Sequence, residues 1–180
     1  MKITETELPG IFHLQPDIKS DERGLFVKTV AADFFKAQNW RADFRESYYS
    51  TSHENVLRGM HFQIPPAAGP KFVCCVTGHV RDALLDLRKS SPTFGRHVLI
   101  PLQGECVDMI YMPGGIAHGF WVEQGPSLML YYQAASYAPA CDKGIAWDKA
   151  GINWPFKKPP IVSARDAGFP ALAQFESPFG

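Results

Sequence analysis

The sequence predicts an all-β fold, a double-sheet jelly roll or related barrel, on three observations. Nine short stretches carry strand-like alternation or β-rich composition. The Pro and Gly residues, 15 of each, are scattered between them as turn punctuation. Only one short helix is credible, and no repeat, linker or low-complexity segment interrupts the pattern. At 180 residues the chain suffices for one well-buried core and is too short for two ordinary domains, so a single domain over 1–180 is expected.

In order, strands are predicted over 25–30, 44–50, 56–63, 72–76, 79–87, 97–102, 106–112, 119–122 and 128–134, each from alternation or β-branched and aromatic content. A helix is predicted over 32–38, where Asp33 and Lys36 face away from Phe34 and Phe35. Thr77-Gly78 and Gln103-Gly104 read as tight turns between neighbouring strands. In the segment 80–88, one face carries Val80, Asp82, Leu84 and Asp86. The plain reading of its two carboxylates is a solvated or ion-paired strand face. From 143 to 180 the text turns irregular, and it is expected to form an ordered tail wrapped on the barrel. Trp147 and Trp154 would tie it down, and the tail would carry Asp166 toward a pocket.

Bulk properties narrow the function. Lys plus Arg and Asp plus Glu both number 18, so formal net charge is zero. That argues against nucleic-acid or anionic-membrane binding, and any anionic ligand must be held by a local pocket. No apolar run approaches membrane-spanning length, and the first residues lack the apolar centre of a signal peptide. The four cysteines, Cys74, Cys75, Cys106 and Cys141, form no C-x-x-C pair, which fits reduced thiols and a cytoplasmic location. Cys74 and Cys75, being adjacent on a strand, point to opposite faces.

Two histidines stand out, His61 within VLRGMHFQ and His118 closing PGGIAH. Alone, either reads more readily as a hydrogen-bonded structural residue than as a catalyst. Jelly rolls of the cupin type often hold a metal with His-x-His, a Glu and a later His. Here the second imidazole is replaced by Gln63 and the carboxylate by Lys71. An ammonium cannot ligate a divalent cation, so a site without metal or other cofactor is expected. Lys71, Arg58 and Arg23 favour anions instead. Should His61, Lys71 and Arg58 share one mouth, a base would sit beside fixed positive charge, as removal of a proton α to a carbonyl requires. The plain alternative for Lys71 is a solvent-facing turn. Of Tyr131 and Tyr132 only one can face the pocket. A phenol there, opposite the imidazole, would reprotonate a planar enolate on its other face, and its plain alternative is barrel filling.

These residues together resemble the dTDP-4-dehydrorhamnose 3,5-epimerase family. Matching segments are DERGLF from Asp21, VLRGMHFQ from Val56, DLRKSSPTFG from Asp86, PGGIAHGF from Pro113, Tyr131, Tyr137 with Pro139, GIAW from Gly144 and SARD from Ser163. The resemblance implies a metal-independent, cupin-like jelly-roll homodimer acting on nucleotide-linked 4-keto-6-deoxyhexoses in rhamnose and related deoxysugar synthesis. It further implies that His61 is the base with Asp166 holding its imidazole, that Lys71 stabilises the enolate, and that Tyr131 is the opposite-face acid. Arg23, Lys28, Glu46, Tyr48, Arg58, His118, Tyr137, Asp142 and Arg165 would surround substrate, Tyr137 near the nucleotide.

The chain departs from the family pattern at Lys28, where Glu is usual, at Glu46-Ser47-Tyr48 for Gln-x-Asn, at Gly69 for Gln and at Arg165 for Lys. The reaction type is therefore expected to hold on a sugar of the dTDP-4-dehydro-6-deoxyglucose type, with these departures leaving room for a different nucleotide or sugar. Single-site inversion at C3 or C5 of a CDP- or GDP-linked sugar is one alternative, a non-catalytic sugar-nucleotide-binding cupin a second, and a metal-dependent cupin a third.

Overall fold

The structure, a computed structural model, describes residues 1–180. Its strands are β1 Lys2–Glu5, β2 Phe12–Gln15, β3 Lys19–Asp21, β4 Gly24–Phe26, β5 Glu46–Ser52, β6 Leu57–Gln63, β7 Lys71–Asp86, β8 His97–Gln103, β9 Met109–Met112, β10 Ile116–Gln133 and β11 Asp142–Gly144. Helices are short, α1 Ala32–Ala37 and α2 Ala164–Ala167.

β7 and β10, 16 and 18 residues long, pair antiparallel from Ile116↔Asp86 to Gln133↔Lys71, with register shifts between Val122 and Met129. On one side of that irregularity the order is β1-β2-β9-β7-β10-β5, and on the other β8-β7-β10-β6-β11. The two halves enclose a core of 14 buried residues drawn from both, among them Val73, Cys75 and Met129 from one and Val80, Leu84 and Phe120 from the other. This is a double-sheet jelly roll whose sheets share two bent strands.

The expected breaks at 77–78 and 123–127 are bends inside continuous strands. Gly78 holds φ +76, and a Cβ there would lie 2.8 Å from the carbonyls of Gln124 and Pro126. Each half of β7 keeps β10 as its partner, so the two halves never fold onto one another as a hairpin. Gln103-Gly104 does end a strand, but it carries the chain from one sheet to the other. The strand expected over 106–112 starts at Met109, because Gly104–Cys106 forms a 3₁₀ turn. β1 and β2 were not expected, and the strand expected over 25–30 is a separate hairpin of β3 and β4.

Alternation along the shared strands serves the outer faces too. Phe35 of α1 meets Phe72, Phe44 and Tyr111 edge-on, and Trp40 stacks on Tyr111 at 4.4 Å, covering the face that carries Cys74. The tail covers the other outer face, where Ile145, Ala150, Ile152 and Phe179 pack on Met60, Phe62, Leu85 and Leu87. Trp147 and Trp154 are half-buried; Trp154 packs against this cluster and donates its indole N–H to the Trp147 carbonyl at 3.1 Å. Cys74 and Cys75 are buried in different clusters, as adjacency on a strand requires.

One close approach sets the geometry of β6. Gly59 holds φ +136, and a Cβ on it would lie 2.5 Å from the Gly119 Cα; a Cβ on Gly119 would in turn lie 2.7 Å from the Met60 sulfur. The pairing of β6 with β10 shifts register here, between His118 and Phe120. Strict alternation would send Arg58 and His61, three apart, to opposite faces, and the irregularity at Gly59 brings both to the cavity. Gly59→Ala is expected to destabilise the fold by about 3 kcal/mol. In a chain of this length that lowers the thermal midpoint by roughly 6–12 °C, measured by circular dichroism, and an unchanged midpoint would refute the close approach.

Candidate active site

A cavity of about 500 Å³ opens between the two halves of the jelly roll, lined from β5, β6, β7, β10, the segment around Tyr137 and the tail. His61 and His118 are direct partners across β6 and β10, so both imidazoles reach it from one wall. Each is held by a carboxylate. His61 Nε2 lies 2.8 Å from Asp166 Oδ1, and His118 Nε2 lies 2.7 Å from Asp82 Oδ2.

Asp166 reaches His61 because the tail returns over β6. Ser163 caps α2 by accepting the Asp166 N–H at 3.1 Å, and the second carboxylate oxygen of Asp166 accepts the Gly59 N–H at 3.0 Å. Burial works to raise the Asp166 pKa, yet the bonds from His61, Gly59 and Ser163 outweigh it and hold the carboxyl below its ordinary value. An ionised carboxylate only accepts, so His61 Nε2 carries the proton and Nδ1 is left as the basic atom. Phe169 meets the His61 ring edge-on at 5.7 Å and packs against Gly144, where any Cβ would lie 2.2 Å from the ring.

Tyr131 projects from β10 into the inter-sheet core and lines the cavity, its ring 6.2 Å from that of His118 and stacked at 4.9 Å on Tyr48. Tyr132 points the other way and bonds Thr29 at 2.9 Å. Burial pushes the Tyr131 phenol well above its usual pKa, so at neutral pH it holds its proton. Lys71 enters from the start of β7 with no carboxylate within ion-pairing distance, and burial lowers its pKa to about 8, with Asp142 acting in the opposite sense. It is no turn lysine in solvent.

The remaining expected residues divide. Glu46, Tyr48, Arg58, Tyr137, Asp142 and Arg165 line the same cavity. Arg58 is steadied by Ser52 at 2.9 Å and by the Thr51 carbonyl at 3.1 Å. Asp142 accepts from Arg165 and from the Tyr137 hydroxyl, and Glu46 accepts the Tyr137 N–H at 2.8 Å. Arg23 and Lys28, also expected to surround substrate, do not line this cavity. Arg23 sits on the β3–β4 hairpin, 85% exposed, and pairs with Asp21. Lys28 borders a separate depression with Asp17 and Lys19. The hairpin forms a sheet of its own, so nothing in its pairing leads these residues back to the cavity.

Sequence reasoning missed three contributors. Asp82 is fully buried and ion-paired with His118, not solvated; burial raises its pKa, and His118 works against that. A carboxylate between Val80 and Leu84 on an apolar strand face was the available signal. Gln63 accepts the Ala138 N–H at 2.7 Å and donates to the carbonyls of Ala67 and Ser136, both at 3.3 Å, so it braces the loop carrying Tyr137. Ser50 reaches the cavity from β5. No three His, Cys, Asp or Glu side chains stand together as a metal-binding group would.

Comparison with known proteins matches the chain to the family described as dTDP-4-dehydrorhamnose 3,5-epimerase over residues 5–174. The dTDP-4-dehydrorhamnose 3,5-epimerase of Salmonella typhimurium is 38% identical over 177 residues, covering 97% of each chain. The fold superposes with a TM-score of 0.91 on the 3,5-epimerase of Legionella pneumophila in complex with dTDP-4-keto-L-rhamnose, at 30% identity over 97% of this chain and 94% of that one. It also superposes at 0.87 on a 3′-monoepimerase from Streptomyces bikiniensis in complex with dTDP-quinovose, 29% identical over 93% and 86% of the two chains. The collinear motifs, the jelly roll and the paired imidazoles at its mouth thus have one common explanation: the chain belongs to the dTDP-4-dehydrorhamnose 3,5-epimerase family.

Proposed function

We propose that the chain inverts C3, C5 or both of a nucleotide-linked 4-keto-6-deoxyhexose, in rhamnose or related deoxysugar synthesis. The observation that carries this reading is a carboxylate-held imidazole, a protonated phenol and an unpaired ammonium converging on one cavity. His61 Nδ1 removes the proton α to the C4 ketone. The C–H electron pair moves into the ring, and the C4 oxygen takes the negative charge. Lys71, while protonated, lies where it can meet that oxygen. Tyr131 then delivers its proton to the other face of the planar enolate, and the carbon inverts. Arg58 and Arg165 offer positive charge to the diphosphate, and His118, Glu46, Tyr48, Asp142 and Tyr137 contact the remainder of the substrate.

The same reading needs no metal, because Gln63 is committed to backbone groups and Lys71 stands where a carboxylate ligand would be required. We further propose that the chain works as one domain in a cytoplasmic homodimer. Its four cysteines are unpaired, and no helix is long and apolar enough to cross a membrane. Leu25 and Phe26 on the isolated hairpin are 63% and 62% exposed, an edge that a second copy would cover while bringing Arg23 and Lys28 to the partner's cavity. Inversion of a single carbon is the second reading, favoured by the likeness to the monoepimerase.

Incubation in deuterium oxide with dTDP-, CDP-, UDP- and GDP-linked 4-keto-6-deoxyglucose tests this. Deuterium is expected at C3, C5 or both with at least one of them, and no exchange with any would overturn the epimerase reading. His61→Asn is expected to abolish exchange, lowering kcat by about 10²–10⁴-fold.

Lys71 makes a pH prediction. Its folded pKa lies below the unfolded value of about 10.4, so burying the cation destabilises the fold fully below pH 8, and that cost fades between pH 8 and about 10.4. Lys71→Met is therefore expected to stabilise the protein at pH 7 by about 1–4 kcal/mol, a gain lost at high pH, while lowering kcat by about 10²-fold or more. Wild-type turnover should fall on the alkaline side with an apparent pKa of about 8. Melting curves and pH–rate profiles read both.

A further inference from the structure

Ser50 carries a hydroxyl that the folded chain leaves without a full partner. Its oxygen is buried and meets no protein donor or acceptor in full hydrogen-bond geometry, and the residue lines the cavity. A buried hydroxyl left in that state carries a desolvation cost, and a partner arising during function would recover it. Strand register supplies the candidate. Ser50 lies opposite Met129 and Tyr48 opposite Tyr131 across β5 and β10, so Ser50 and Tyr131 are diagonal neighbours on the cavity face. Burial pushes the Tyr131 phenol up, and the Ser50 hydroxyl is the first group acting against it; Asp82 and Tyr48 add to the rise, and Arg58 opposes it.

We propose that Ser50 is a positioning residue for reprotonation, donating its hydroxyl hydrogen to the Tyr131 phenolate that forms when Tyr131 gives up its proton. The inference rests on the epimerase reading. In that step the Tyr131 O–H bond breaks, and the enolate electron pair forms the new C–H bond as the C4 carbonyl is restored. The former O–H pair remains on the phenol oxygen as a phenolate. That anion appears in a buried place beside Asp82, and the Ser50 hydroxyl, already near enough to act on the phenol, can turn its hydrogen fully onto the new charge. Water then returns a proton to Tyr131 and takes the substrate-derived proton from His61, which resets both groups before the next turnover. A hydrogen bond to an ionised group is about twice as strong as one between neutral groups, so Ser50 contributes more to the state after proton delivery than to the resting enzyme.

Two rates separate this role from a merely structural one. With dTDP-linked 4-keto-6-deoxyglucose in deuterium oxide, exchange with return of hydrogen to the original face reports His61, and formation of inverted sugar reports Tyr131. Ser50→Ala is expected to leave original-face exchange within about twofold of wild type and to slow inversion about tenfold or more. Ser50→Thr, which keeps a hydroxyl, should restore inversion. In a Tyr131→Phe background, Ser50→Ala should have no further effect, because the group it serves is gone.

Equal inversion by wild type and Ser50→Ala would overturn the inference, as would a parallel fall of both rates or an undiminished Ser50→Ala effect in the Tyr131→Phe background. Those outcomes leave the epimerase itself standing. A wild-type chain that exchanges no proton with any nucleotide ketosugar removes the epimerase reading and this inference together.

Discussion

The bridge from Asp166 to β6 is the contact on which the rest of the cavity depends. One carboxylate oxygen takes the imidazole of His61 and the other takes the backbone of Gly59, so a single side chain from the tail fixes both a ring and the strand irregularity that aims it. The two groups lie more than a hundred residues from Asp166 in sequence. Their meeting requires the tail to be anchored, and Ile145, Ile152 and Phe179 do that against the outer face of the second sheet. Hydrophobic burial on one side of β6 thereby sets a tautomer on the other.

The cavity is built from groups whose environments push them in different directions. Asp166 is held ionised by its bonds from His61 and the Gly59 N–H, Tyr131 is kept protonated by burial, and Lys71 is brought toward neutrality by the same burial. A barrel interior at uniform polarity would not separate them. The separation comes from where each sits: Asp166 is reached by backbone and side-chain donors, whereas Tyr131 and Lys71 enter from the two long shared strands, with little besides each other's neighbours to solvate them. Lys71 in particular is retained at a thermodynamic cost to folding, which is common where a charge serves chemistry rather than stability.

Much of this was legible in the residues. His61, Lys71, Tyr131 and Asp166 could be picked out because each is a chemically capable side chain at a position where the local pattern called for something else, or within a motif of several matching segments. The jelly roll followed from strand rhythm. What failed to show was continuity: Thr77-Gly78 and the run from Glu123 to Pro126 carry turn chemistry, yet the chain passes through both as bent strand, because pairing with a long partner outweighs local preference. β1 and β2 escaped notice for a related reason, since short edge strands depend on the neighbour that receives them. Asp82 was read as part of a solvated or ion-paired face because alternation reports which residues share a face but not whether that face looks into water. The resemblance groups Arg23 and Lys28 with the cavity by motif alone, and a motif does not say where a hairpin packs.

Gln63 is fastened to the loop it faces. Its amide joins three backbone groups, at Ala67, Ser136 and Ala138, using two donors and an acceptor together in a way an imidazole cannot reproduce. A histidine at that position would unfasten the stretch that presents Tyr137 before any ion could be captured. Building metallochemistry into this wall would therefore demand a new anchor for that loop as well as new ligands, several changes at once rather than one.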